Sequence, residues 1–323
     1  MTSFATVRVA AVQAAPVMLD LDASLDKAVA LTRDAAAQGA QLIVLPECFL
    51  SFYPSSALTE SRYDEAQIDL FERMWHSAVD VPGREVDRLA AVCAELGIHL
   101  SIGVNERESD RPGTLYNAQL LLGPTGLLSK HRKLMPTYQE RLFHGMGDGD
   151  DLHVVDTPVG RIGGLVCWEH RMPLARYAVY RGGPQIWVAP TMDDRDIWRA
   201  LMRTIAYESG AWVVSVCQYI HGRDLPEGIP ADDRVYSEGG SAIIAGDSGD
   251  VVAGPLVGEE GILVADCDLR TTLRAKKWFD AVGHYSREDV LLRVLAEPGG
   301  TNGGHSSPRA GATLGRDSQA LTP

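Results

Sequence analysis

The chain has 323 residues, a formal net charge of −13, and 45 % hydrophobic against 23 % charged residues. That length and balance suit a globular protein with a sizeable core, and so acidic a surface repels phosphate backbones, which argues against a nucleic-acid partner. Five scattered cysteines with no close pair speak against a secreted disulfide framework and fit a reducing, cytoplasmic setting. The N-terminal residues lack the marks of a signal peptide, and no apolar run approaches the ~20 residues of a membrane span.

Residues 7–13 read as a first strand. A helix follows, with Leu25, Ala28, Val29, Thr32, Ala35 and Ala36 on one stripe and Gly39 at its end. Residues 41–45 form a buried strand, and Pro46-Glu47 opens the next loop. Val86, Leu89, Ala90, Cys93 and Leu96 mark a second helix, stopped at Gly97. Strand-like runs recur at 98–104, 116–122, 161–166, 185–189, 212–216, 241–245 and 262–266. Between two of them, residues 194–209 predict a helix that buries Ile197, Trp198, Leu201, Met202, Ile205 and Ala206. The alternation predicts an α/β protein with parallel and antiparallel strand pairs. Residues 225–234 read as a polar surface loop. From Glu297 the chain turns to Gly, Ser and Pro and buries too little apolar area to offset its ordering entropy. The expected division is therefore one domain over 1–296 and a mobile tail over 297–323.

Cys167 is the most informative residue. It ends Arg161-Ile162-Gly163-Gly164-Leu165-Val166, with Trp168-Glu169-His170 and Pro173 after it. A strand running into a sharp turn and then a helix lifts one side chain out of the sheet, as a nucleophile elbow does. A thiol attacks as the thiolate, so it needs a base or a nearby positive charge. Glu47 stands just past the carboxyl end of its own strand, where sites form in α/β sheets. Lys133 belongs to Ser129-Lys130-His131-Arg132-Lys133, the densest basic run in the chain, and would lower the thiol's pKa or hold negative charge on a substrate. Each residue alone has a plainer reading: the cysteine as a small buried hydrophobe, the glutamate as a loop carboxylate or helix cap, the basic run as a solvated face.

Together the segments resemble the carbon–nitrogen hydrolase superfamily, and within it the nitrilase branch. Leu45-Pro46-Glu47 with Phe52-Tyr53-Pro54 is similar to the family's glutamate motif. His131-Arg132-Lys133-Leu134-Met135-Pro136-Thr137 with Glu140-Arg141-Leu142 is similar to its lysine motif, and Cys167-Trp168-Glu169-His170 with Met172-Pro173-Leu174 to its cysteine motif. Ala189-Pro190-Thr191, Gly239-Gly240-Ser241 and Val282-Gly283-His284-Tyr285-Ser286-Arg287 extend the likeness. Two places depart from it: His170 stands where many nitrilases carry asparagine, and Phe143-His144-Gly145 replaces a commoner aromatic-glycine pattern.

The resemblance implies a four-layer αββα sandwich and dimers formed across a helical face, which many nitrilases extend into spirals or filaments. It implies Cys167 as nucleophile, Glu47 as general base, Lys133 as charge stabiliser and Glu140 as a second glutamate that positions the site. The implied reaction is hydrolysis of an organic nitrile to a carboxylic acid and ammonia. An amidase, a carbamoylase or a cyanide-hydrolysing enzyme would use the same three residues, and a non-catalytic assembly protein is a rival of another class. No metal and no cofactor are expected, because the histidines lack ligand spacing. Tyr53, Trp168, His170, Trp187, Thr191 and Met192 are candidates for the substrate pocket, each with core packing as the alternative.

Overall fold

The computed structural model describes residues 4–55, 65–226, 229 and 232–296. Strand β1 (Thr6–Gln13) shows how the core is built. Its side chains alternate, as the period of a strand requires: Val7, Val9 and Ala11 enter one apolar cluster, Ala10 and Val12 another. Helix α1 (Leu21–Ala37) follows, its start capped by Asp20, whose carboxylate accepts from the Ala23 N–H at 2.9 Å. The chain then forms β2 (Leu42–Val44), α2 (Glu65–His76), α3 (Arg84–Leu96), β3 (His99–Arg107), β4 (Leu115–Gly123) and β5 (Gly126–Arg132). Gly97 ends α3 in the left-handed conformation, with φ +67°, as that C-terminal position favours. With the late strand Gly261–Asp268, these strands make one sheet of six in which β1, β2 and β3 run parallel.

A second sheet of seven follows, built from β6 (Val155–Thr157), β7 (Gly160–Gly164), β8 (Ile186–Thr191), β9 (Trp212–Cys217), β10 (Tyr219–His221), β11 (Val235–Ile244) and β12 (Val251–Val257). The strand Gly261–Asp268 is β13. Strands β7, β8 and β9 are parallel, and helices α4 (Pro173–Arg181) and α5 (Asp196–Ser209) connect them. Helix α6 (Arg270–Trp278) comes after β13.

Three apolar clusters define the layers. Leu25, Ala28, Val86, Leu89 and Cys93 pack α1 and α3 on the first sheet. Val9, Leu42 and Val44 meet Ile162, Ile186, Val188 and Val214 between the sheets. Ala175, Val179, Met202 and Ile205 pack α4 and α5 on Trp187, Ala189 and Val213 of the second sheet. The order is helix, sheet, sheet, helix, the αββα sandwich expected.

Residues up to Ser286 form one compact unit and those from Arg287 a second. The second contains α7 (Glu288–Ala296). The tail over 297–323 lies outside the described residues, as does part of the 225–234 loop. No helix among the described residues is long and apolar enough to cross a membrane.

Every predicted strand and helix has a counterpart. The elements that sequence reading missed are edge or half-exposed ones. Strand β5 hides in the basic run, and β12 has no buried residue along its length. Helix α2 buries only Leu70 and Met74, too little for a visible stripe.

Candidate active site

Glu47 is carried on the turn that leaves β2. Pro46 cannot extend the ladder, so the chain bends over β3 at Gly103. A side chain at that position would meet the Cys48 nitrogen at 2.4 Å, the Pro46 oxygen at 2.5 Å and Glu47 Cα at 2.7 Å; the glutamate turn sits against bare backbone. Gln218, just past β9 in the other sheet, donates to the Glu47 carbonyl at 2.7 Å. The two sheets thus fix one turn between them.

Lys133 is presented by strand alternation. Along β5, Lys130 and Arg132 turn to one side and pair with Glu106, while His131 and Lys133 turn inward. The Lys133 ammonium, buried to 1 % exposure, donates to Glu47 Oε1 and Glu140 Oε2, each at 2.7 Å. The basic run is therefore no solvated face: each of its cations has a carboxylate.

Glu140 lies on the short helical turn Tyr138–Leu142, entered through Thr137, whose N–H donates to Glu140 Oε2 at 2.8 Å. Asn117 of β4 donates through Nδ2 to Glu47 Oε1 at 2.7 Å and to Glu140 Oε1 at 2.8 Å, tying the two carboxylates together. The Tyr53 hydroxyl reaches Glu140 Oε2 at 3.3 Å. Of the four carboxylate oxygens of the pair, Glu47 Oε2 alone is without a hydrogen-bond partner.

Cys167 follows β7. Its φ of +49° is a left-handed conformation that a non-glycine residue adopts only where its surroundings hold it. Thr191, at the end of β8, donates to its sulfur at 3.2 Å. Glu169, two residues on, holds the frame. Its carboxylate accepts from the Val166 N–H and the Leu134 N–H, both at 2.6 Å, and from His131 Nε2 at 2.9 Å. One buried carboxylate thereby clamps the residue before Cys167 and the residue after Lys133.

His131 also reaches Asp151 at 2.5 Å. Burial alone pushes its pKa down, but Glu169 and Asp151 overcome that and raise it to about 10. A base whose folded pKa is raised adds stability in full below its unfolded value of about 6.5, and loses it as pH rises through about 10. Urea unfolding from neutral to alkaline pH should therefore show the wild type losing more stability than His131→Gln; parallel profiles would contradict this.

Burial raises the Glu47 carboxyl above its ordinary value, and Lys133 offsets that only partly. Burial also pushes Glu140 upward, but Lys133 and His144 outweigh it and leave that carboxyl well below the usual range. Two carboxylates on one ammonium are thus driven apart in proton affinity. Burial, then the Glu47 charge, push the Cys167 thiol well up, against Lys133 and Thr191. At neutral pH the resting nucleophile is a thiol, beside a carboxylate able to take its proton.

A cavity of about 280 Å³ opens beside the sulfur, lined by Tyr53, Tyr138, Cys167, Trp168, Met192 and Tyr236 among others. Trp168 is held at its rim by Asp193, which accepts from the indole N–H at 2.9 Å and is gripped by Arg195. Three expected wall residues do not line it. Thr191 is turned to the sulfur instead. His170 and Trp187 are fully buried behind Cys167: the Trp187 indole donates to His170 Nε2 at 2.8 Å, and His170 Nδ1 donates to the Cys167 carbonyl at 2.7 Å. Burial lowers the His170 pKa to about 4, so the ring is neutral and holds the nucleophile's backbone. The correction has a simple cause. Trp187 shares a face of β8 with Thr191 but sits deeper along the strand, under α4 and α5, whereas Thr191 at the strand's end reaches the sulfur.

Two contributors escaped sequence reading. Asn117 sits in an ordinary-looking strand, and no local pattern marks it. Glu169 lies just past the cysteine, beyond Trp168, and that nearness was the available signal.

The carbon–nitrogen hydrolase family model matches residues 8–277. The chain is 45 % identical to an aliphatic nitrilase of Sinorhizobium fredii, covering 92 % of this chain and 97 % of the relative. It is 44 % identical to the bifunctional nitrilase/nitrile hydratase NIT4A of Lupinus angustifolius, over 90 % of this chain and 86 % of that one. The crystal structure of a carbon–nitrogen hydrolase from Helicobacter pylori superposes with a TM-score of 0.72, covering 91 % of this chain and 99 % of that chain at 18 % identity, a likeness of fold. The chain belongs to the carbon–nitrogen hydrolase family, in its nitrilase branch.

Proposed function

We propose that the chain is a nitrilase, hydrolysing an organic nitrile to a carboxylic acid and ammonia through a cysteine-bound intermediate. The observation that carries the division of roles is the single unoccupied carboxylate oxygen, Glu47 Oε2. Glu140 has both oxygens held by donors and serves to position Lys133; Glu47 keeps one oxygen for proton transfer, and its raised affinity suits a general base.

Glu47 takes the Cys167 proton as sulfur bonds the nitrile carbon, and that proton passes to the nitrile nitrogen, giving a thioimidate. Water adds to the carbon, its proton going to Glu47, and Lys133 stabilises the charge of the tetrahedral species. The nitrogen takes up the proton held by Glu47 and the hydroxyl proton of the tetrahedral species, the carbon–nitrogen bond breaks, ammonia leaves, and a thioester carbonyl remains. A second water, deprotonated by Glu47, attacks it; the carbon–sulfur bond breaks, the acid departs, and Glu47 returns the proton to the Cys167 sulfur. Loss of the thiol instead of ammonia at the first tetrahedral stage yields an amide.

Tyr53, Trp168 and Met192 form the part of the wall that meets the substituent of the nitrile, and Thr191, His170 and Trp187 act from behind the sulfur. The reading includes the hydrolase domain over 1–296, the tail over 297–323, a cytoplasmic setting that five unpaired buried thiols support, and a homodimer extending to a spiral or filament. Exposed Ile197 and Tyr207 on α5 and Leu273 and Trp278 on α6 are consistent with such an interface.

Matched nitriles and amides, assayed for ammonia and for amide formation, test the activity. Ammonia and acid from nitriles are expected. Turnover of the amides with none of the nitriles would replace this reading with an amidase.

A further inference from the structure

The Phe143-His144-Gly145 segment departs from the commoner family pattern and places a buried histidine where geometry dictates its protonation. Its Nε2 lies 2.8 Å from Asn105 Oδ1 and its Nδ1 3.2 Å from Glu140 Oε1. The Asn105 amide is oriented by its other end, where Nδ2 donates to the Phe52 carbonyl at 2.6 Å. Turning that amide over would set two acceptor oxygens against each other. Asn105 Oδ1 therefore accepts, and Nε2 of His144 carries a proton. A neutral ring then has a bare Nδ1, pointed at a carboxylate oxygen, lone pair against lone pair.

A proton has to lie in that contact, on Nδ1 or on Glu140. Glu140 already receives Lys133 Nζ at 2.7 Å, the Thr137 N–H and Asn117 Nδ2 at 2.8 Å, and the Tyr53 hydroxyl at 3.3 Å. Four donors, one of them charged, favour the ionised carboxylate, so the proton belongs to the histidine.

We propose that His144 is a buried imidazolium, a positioning residue that supplies the second positive charge of the active-site cluster and lets Glu47 and Glu140 both stay ionised. Its catalytic meaning rests on the nitrilase reading above. Glu47 and Glu140 carry two negative charges, and Lys133 balances one. Buried charges need partners, and His144 balances the other. The ionisable group it touches is Glu140 on its own segment, which in turn receives Lys133 from after β5 and Tyr53 from the loop after β2, with Glu47 on the other side of Lys133; β3 and β4 contribute the neutral amides of Asn105, on His144, and Asn117, on Glu140. The lowered Glu140 carboxyl, for which His144 is a cause after burial and Lys133, agrees.

Without that charge one carboxylate must bind a proton near neutrality, and Glu47, with its open oxygen, is the one that does. The His144→Gln variant should move the acidic limb of kcat/KM upward by about one pH unit or more, so that activity falls about tenfold on that limb and recovers toward alkaline pH. A merely structural role would lower activity equally at every pH, and an unshifted limb in a folded variant overturns the proposal. Neutron diffraction on wild-type crystals above the ordinary histidine pKa of about 6.5 reads the proton directly, independently of activity and of the variant's folding. Deuterium on both ring nitrogens is the expected result, and a bare Nδ1 overturns the proposal. A wild type that turns over no nitrile would sink the function reading instead, while the neutron map still decides the charge.

Discussion

Replacing Cys167 by alanine is expected to abolish turnover of every nitrile while leaving the protein folded. The reaction requires a bond between sulfur and the nitrile carbon, and a methyl group forms none. Neighbouring oxygen nucleophiles do not substitute: the Thr191 hydroxyl donates to the sulfur and accepts from the Asp193 N–H, and nothing in the site is placed to deprotonate it. The stability change should be small. Alanine keeps the Cβ that Cys167 holds at φ +49°, so backbone strain is unchanged, and the loss is the weak hydrogen bonds to sulfur from Thr191 and the Met192 N–H plus a little buried volume, about 1–2 kcal/mol. Mass spectrometry of the wild type quenched during turnover should show an acyl adduct on the Cys167 peptide, absent from the variant. Ammonia release persisting in the variant would remove the cysteine from the chemistry.

Lys133→Met should be the most damaging change for fold and activity together. The ammonium carries both short contacts to Glu47 and Glu140, and all three side chains are fully buried. Removing it leaves two carboxylates facing each other across Asn117, and breaking a buried pair in this way costs about 3–5 kcal/mol. Activity should fall at least about 100-fold, the scale on which losing one charge-stabilising donor acts. The pH dependence carries a sign. In the wild type the Glu140 carboxyl is depressed, so its contribution is present above the ordinary carboxylate range and is lost as pH falls below it. In the variant the paired carboxylates hold protons more tightly than when unfolded, so ionising them destabilises the fold as pH rises. The gap in urea midpoint between wild type and variant should therefore widen from acidic to neutral pH. A constant gap would show that Lys133 acts through packing alone. Lys133→Arg keeps the charge but needs room that a fully buried site lacks, and should be inactive also.

Much of this architecture is legible in the chain. Val7 to Gln13 is mostly apolar because both faces of the strand are covered, and the stripes of Leu25 to Ala36 and Trp198 to Ala206 repeat with the period of a helix because each helix buries one face; Ile197, expected in the second stripe, is exposed in the first turn of its helix. The elbow at Cys167 is signalled by an apolar run that stops at a polar turn. Strand β12 and helix α2 were not legible, since little of either is buried and no periodic pattern is imposed on them. The site reads less completely than the fold. Thr191, His170 and Trp187, expected in the pocket wall, do not line the cavity: Thr191 turns to the sulfur and the other two pack behind the cysteine turn, because how far along its element a residue sits from the cavity is set by the packing of the sheets and helices.

The sequence by itself determined that a thiol and a carboxylate stand at the ends of sheet strands, since turn residues and strand patterns place them there through local physics; that the Lys133 ammonium follows a strand was settled by the fold. Only the tertiary structure decided how protons and charges are shared among them. That sharing depends on burial, on a few ångströms between Glu47, Lys133, Glu140 and His144, and on which lone pairs Asn105 and Asn117 leave open. Those distances arise when β3, β4 and the loops after β2 and β5 close on one another, and a linear pattern does not encode them.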